Sequence, residues 1–132
     1  MALAKLSSGG GFFKAKDHTD AEVILFEPKR FEAQVPSNYG EQDVVTADVT
    51  VWKTLDSEPE VNTGMRIAAK AIVRDLEPLV RNGDAVAAKV VYLANKKGGN
   101  DFPVLRAVDA KAEAAVEQYL TERDKAMEEA PF

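Results

Sequence analysis

There is no cysteine in the chain, which removes disulfides, iron–sulfur clusters, thiolate zinc and cysteine nucleophiles together. The single histidine, His18, excludes a His-rich metal centre inside one subunit. No apolar run comes near the ~20 residues that a bilayer-crossing helix needs. No basic–apolar–small-residue leader opens the chain, so the expectation is a cytoplasmic protein with no membrane partner. Gly9-Gly10-Gly11 has neither a preceding strand nor a following Lys-Ser/Thr, and is no phosphate-binding loop. The four serines (Ser7, Ser8, Ser37, Ser57) lie in expected loops without a G-x-S-x-G elbow. Asp17-His18-Thr19-Asp20 offers one imidazole in a turn and reads as a solvated entry to the first strand. Asp43 and Asp48 are the only carboxylate pair on a strong strand, and their odd spacing puts them on opposite faces. No enzyme activity, metal or cofactor is expected.

With 132 residues, 45% hydrophobic and 30% charged, the chain has the makeup of one ordinary globular domain. The net charge of −5 is unevenly spread. From Asp109 to Phe132 seven acidic residues stand against three basic ones, whereas residues 1–108 carry 14 basic and 15 acidic groups. The body is thus almost neutral and has room for a basic face.

Four regions follow in order. Residues 1–19, with Ser7-Ser8-Gly9-Gly10-Gly11 and then Phe12-Phe13-Lys14-Ala15-Lys16, read as a flexible arm. Residues 20–108 form the folded domain, 109–127 a helix, and 128–132 an acidic, Phe-terminated tail. Within the domain, residues 21–35 make a long strand broken near Glu27-Pro28, since proline cannot donate to a sheet ladder. Pro36-Ser37-Asn38-Tyr39-Gly40 is a turn. Residues 43–53 alternate cleanly, with Val45, Ala47, Val49 and Val51 on one face and Thr46, Asp48, Thr50 and Trp52 on the other. After a polar loop comes a third strand at Gly64–Lys70. A short helix follows over Val73–Asn82, with Asp75 as its cap, Pro78 in its first turn and Gly83 as its stop. Residues 85–94 and 102–108 form a hairpin with a basic tip. Ala110–Met127 is an amphipathic helix.

Three strands, a short helix and a two-strand hairpin are the element order of an OB-fold, a five-stranded Greek-key barrel whose helix falls between strands 3 and 4. The expected fold is therefore mainly β, an OB barrel with a C-terminal helix. An α+β sandwich of similar content is the competing arrangement.

Such a barrel binds single strands with cations for phosphate and exposed rings for bases. Trp52 ends strand 2 opposite the valine stripe with Lys53 beside it, and either stacks on a base or caps the barrel bottom. Arg66 and Lys70 are expected on the non-core face of strand 3. Lys96 and Lys97 tip the strand 4–5 loop. Phe12 and Lys14 close over from the arm, or Phe12 and Phe13 pack as a staple. Phe31 and Tyr39, near Lys29 and Arg30, line the groove, although Phe31 suits the core equally. Tyr92 is in register with Val86, Ala88 and Val90 and is expected inside. At the end of the chain, Glu128, Glu129, Pro131 and Phe132 suit docking into a pocket rimmed by Arg or Lys. An uncovered strand edge on a small barrel would permit a homodimer.

The runs Val45–Trp52, Arg74-Asp75-Leu76-Glu77-Pro78-Leu79, Asn82-Gly83-Asp84-Ala85-Val86 and Lys96-Lys97-Gly98-Gly99-Asn100 with Pro103-Val104-Leu105 resemble the small OB-fold single-stranded-DNA-binding proteins of actinobacterial phages, over about residues 20–108. The ending Glu128-Glu129-Ala130-Pro131-Phe132 is similar to the acidic tails of bacterial and phage single-strand-binding proteins. The resemblance implies coating of single-stranded DNA without sequence preference, in the host cytoplasm, during phage replication, recombination or repair. It also implies recruitment of replication or recombination proteins through the tail. The alternative is an OB-type protein-interaction or phage-assembly module that binds no nucleic acid.

Overall fold

The computed structural model describes residues 11–37, 40–94 and 98–129. Five strands form one antiparallel sheet: β1 (Val23–Ser37), β2 (Gly40–Trp52), β3 (Glu60–Ile67), β4 (Val86–Leu93) and β5 (Phe102–Ala107). Helix α1 (Lys70–Asn82) joins β3 to β4, and α2 (Ala110–Glu129) follows β5. The spatial order is β3-β2-β1-β4-β5. The sheet is open, because β3 and β5 end it instead of pairing to close the barrel expected from the element order.

The run Val23-Ile24-Leu25-Phe26 is buried on both faces, as an unbroken apolar stretch in a strand should be. Ile24 and Phe26 join the β2 stripe of Val45, Ala47, Val49 and Val51 in the main core, which α1 closes with Ile72, Val73 and Leu76. Val23 and Leu25 face the other way, into a second cluster with Trp52 and with Ala112 and Val116 of α2. Helix α2 thus covers the part of the back of the sheet around Val23, Leu25 and Trp52.

Several sequence expectations are corrected. β3 begins at Glu60 and ends at Ile67, so Lys70 is the first residue of α1 instead of sharing a strand face with Arg66. The helix starts at Lys70, with Ala69 at its N-cap position and no side-chain cap bond; Asp75 and Pro78 both lie inside it. Gly83 does end it, at φ 70° in the left-handed region that glycine adopts without a Cβ clash. α2 extends through Glu129 instead of stopping at Met127.

The expected arm is ordered over the part described. The Phe13 N–H donates to the Arg66 carbonyl and the Arg66 N–H to the Gly11 carbonyl, both at 2.9 Å. Phe12 pairs in parallel with Arg66, so residues 11–13 cover the outer edge of β3. Phe13 is the anchor. Its ring meets Phe26 edge-on at 5.5 Å and stacks on His18 at 5.0 Å. His18 sits in a 3-10 turn, Ala15–His18, where the sequence had suggested only a solvated bend.

Candidate nucleic-acid interface

Register on the back of the sheet sets up one row across three strands and the bridging residue Phe12. Arg30 on β1 lies opposite Thr46 on β2, Thr46 lies opposite Arg66 on β3, and Phe12 pairs beyond Arg66. Neighbouring strands are ~4.8 Å apart, so the row runs about 14 Å. Phe12 is 53% exposed and the Arg66 guanidinium carbon sits 5.3 Å over its ring centroid. One aromatic face is thereby held beside a fixed cation. The hydroxyl oxygen of Thr46, between the two arginines, is the only buried side-chain polar atom without a hydrogen-bond partner among the described residues.

The acidic groups close to this row are already engaged. Asp48 accepts a 3.0 Å bond from the Gly64 N–H, at a register shift where Gly64 has φ 65°. Asp43 accepts from the Gln34 N–H at 3.1 Å, holding Gln34 at φ 55° in the second irregularity of β1. Each carboxylate of the candidate pair thus secures a kink in a neighbouring strand. Glu32 pairs with Arg30 at 3.2 Å on the surface, a contact worth little in water. Among the described residues no group of three or more His, Asp or Glu side chains gathers as metal ligands.

Glu27 is the firmest ion pair. Arg123 of α2 donates from both terminal nitrogens to its two carboxylate oxygens, at 2.8 and 2.9 Å. Those bonds hold the Glu27 carboxyl below its ordinary pKa against the opposing effect of burial, with further help from the charges of Arg123 and Lys29. They raise the guanidinium of Arg123 in turn. The pair ties the far part of α2 to β1.

The sequence candidates divide accordingly. Arg30, Arg66 and Phe12 come together, with Lys29 exposed in the bulge beside Arg30 and Lys14 exposed just after Phe13. Trp52 is 4% exposed and meets Tyr119 of α2 edge-on at 5.1 Å, so it has no free face for a base in this fold. Lys53 follows it, about 20 Å along β2 from Thr46. Phe31 lies opposite Val45 and packs on the main core, as does Tyr92. Lys70 lines a cleft of about 430 Å³ between α1 and the start of β2, together with Arg74 and the acidic Glu41, Asp43 and Glu77. Tyr39, Lys96, Lys97, Pro131 and Phe132 lie outside the described residues, as do the side chains of Glu128 and Glu129.

Sequence reasoning missed three features: the Glu27–Arg123 tie, the pairing of Phe12 with Arg66, and an exposed Phe102 on β5. No helix among the described residues is long and apolar enough to cross a membrane. Comparison of the chain with protein-family models, with curated proteins and with solved structures finds no match.

Proposed function

We propose that the protein binds single-stranded DNA without sequence preference, along the row formed by Phe12, Arg66, Thr46 and Arg30. The observation that carries this reading is the Arg66–Phe12 pair, a fixed cation beside a half-exposed ring on an open sheet face. Phosphate needs the first and a base needs the second. The β1–β2–β3 meander, the β1–β4 pairing and the helix between β3 and β4 support reading the sheet as an OB-type barrel. The family resemblance suggests a role in phage replication, recombination or repair, with the acidic tail recruiting the enzymes.

The test is a titration of fluorescently labelled oligothymidine followed by anisotropy. Affinity should fall steeply with salt, since bound phosphates release counterions. R66E should weaken binding by about tenfold or more and flatten the salt dependence. F12A should cost on the order of 1–3 kcal/mol, the value of one stacked base. The emission of Trp52 should stay unchanged throughout, because its indole is covered by α2. A protein that binds oligothymidine equally well with and without Arg66 would overturn the site. One that binds none would overturn the function.

A further inference from the structure

The opposite end of the sheet carries a different surface. On the back of the β4–β5 hairpin, Lys89 lies directly across from Arg106, Val91 from Val104 and Leu93 from Phe102. The alternate pairs put Ala88, Val90, Tyr92 and Leu105 into the main core. Like charges directly opposite each other destabilise a hairpin, yet neither Lys89 nor Arg106 has an ion-pair partner among the described residues. Of the carboxylates lining the hollows beside Lys89 and Arg106, Glu22 accepts from the Leu55 N–H, Asp109 accepts from the Ala112 N–H and Asp75 pairs with Arg74, while Glu113 lines the Arg106 hollow without forming an ion pair among the described residues. Beside this cation pair, Val91 is 38% and Phe102 39% exposed. Where β3 has its outer edge covered by residues 11–13, β5 ends the sheet with no further backbone bonding among the described residues.

We propose that the outer edge of β5, where the exposed Arg106 and Phe102 flank the buried Val104, receives an extended acidic–apolar segment of a partner protein as an added strand. An uncovered edge offers unpaired N–H and C=O groups, whose complement is another strand. The side chains set the pattern of that strand. Running antiparallel to β5, it presents every second residue to the back face: an acidic residue beside Arg106, then apolar residues beside Val104 and Phe102. Its signature is acidic–x–apolar–x–apolar. A second copy of this chain fits worse. Two such faces brought together would oppose their own cation pairs. Nucleic acid fits worse too, since the apolar residues are mostly aliphatic and the free edge would go unused. The proposal rests on none of the observations behind the DNA-binding row.

The probe is a fluorescein-labelled peptide, Thr-Glu-Thr-Val-Thr-Leu-Thr, titrated with the full chain and read by anisotropy. Saturable binding is expected, weakened at least tenfold by R106E. A peptide with Lys in place of Glu should bind the R106E variant better than it binds the wild type. R106E should keep the wild-type melting temperature and oligothymidine affinity, which separates this surface from the DNA-binding row. Absence of saturable peptide binding to the wild type overturns the proposal. So does an R106E variant that binds the original peptide undiminished. If R106E or F102A instead weakens oligothymidine binding tenfold while the peptide fails to bind, the face belongs to nucleic acid.

Discussion

Glu27 and Arg123 join two elements that are 96 residues apart in the chain. The depressed Glu27 pKa means that this contact stabilises the fold fully above the ordinary glutamate range of about 4.3. It is lost as pH falls through the lower, folded-state value. E27Q lacks the ionised pair at every pH. It should therefore be less stable than wild type at neutral pH by about 1–2 kcal/mol, as for a half-buried bidentate pair. The gap should close on acidification, since wild type then loses the same contribution. Urea unfolding of both proteins across that range measures it. A gap that does not change with pH would show that the glutamine acts through packing, not charge. None of this was legible in the sequence. A glutamate in a strand and an arginine in a distant helix carry no local sign of each other, while the β2 alternation around Val45–Val51 announces its buried face residue by residue.

Elements were legible where their own pattern defines them and obscure where a neighbour does. β2 reads correctly because a valine stripe must be buried somewhere. The first half of β3, Glu60-Val61-Asn62-Thr63, has little apolar content and is a strand because β2 supplies its ladder partners. The start of α1 was misplaced for a related reason. Ala69 gives no capping signal, and Asp75 resembles a cap while standing inside the helix. Pro78 is the unusual residue there. It has no N–H for the carbonyl four residues earlier, that of Arg74, and its ring crowds that carbonyl. It is solvent-exposed, so its replacement leaves no cavity. P78A should stabilise the protein, by on the order of 1–3 kcal/mol on helix propensity, read as a higher urea midpoint with unchanged slope. A lower midpoint would mean that the proline's fixed geometry sets the path of the chain towards Gly83. The candidate site was half legible by the same logic: residue types marked Arg66 and Phe12, but only the edge pairing of residues 11–13 puts them in contact.

Seen whole, the molecule has two apolar clusters on opposite sides of one sheet, and β1 belongs to both. Ile24 and Phe26 serve the α1 side; Val23 and Leu25 serve the α2 side. Neither cluster can come apart while leaving that strand intact for the other. The amides of Val23–Phe26 should accordingly exchange only through global unfolding, and their exchange free energies should match the value from urea unfolding. L76A, which empties a fully buried site under the sheet, should cost about 2–5 kcal/mol. It should lower the protection of the β1 amides by the same amount, although Leu76 lies on one side only. If the amides facing α2 kept their protection, the two halves would be separate folding units.

The pairing of residues 11–13 with β3 also has a consequence in time. The partner of Phe13, Arg66, is made some fifty residues later, which at ~5–20 residues per second is roughly 3–10 s of synthesis. For an equal interval after they emerge, two adjacent phenylalanines wait outside the ribosome with no β3 edge to pair with. They form an apolar, extended segment of the type that molecular chaperones capture. The polar, glycine-rich Ser7-Ser8-Gly9-Gly10-Gly11 that precedes them dilutes that stickiness on one side, and Lys14 and Lys16 interrupt it on the other. Those flanking residues then matter most before the fold exists, and replacing them with apolar ones should reduce soluble yield at higher temperature without altering the melting point of the protein that does fold.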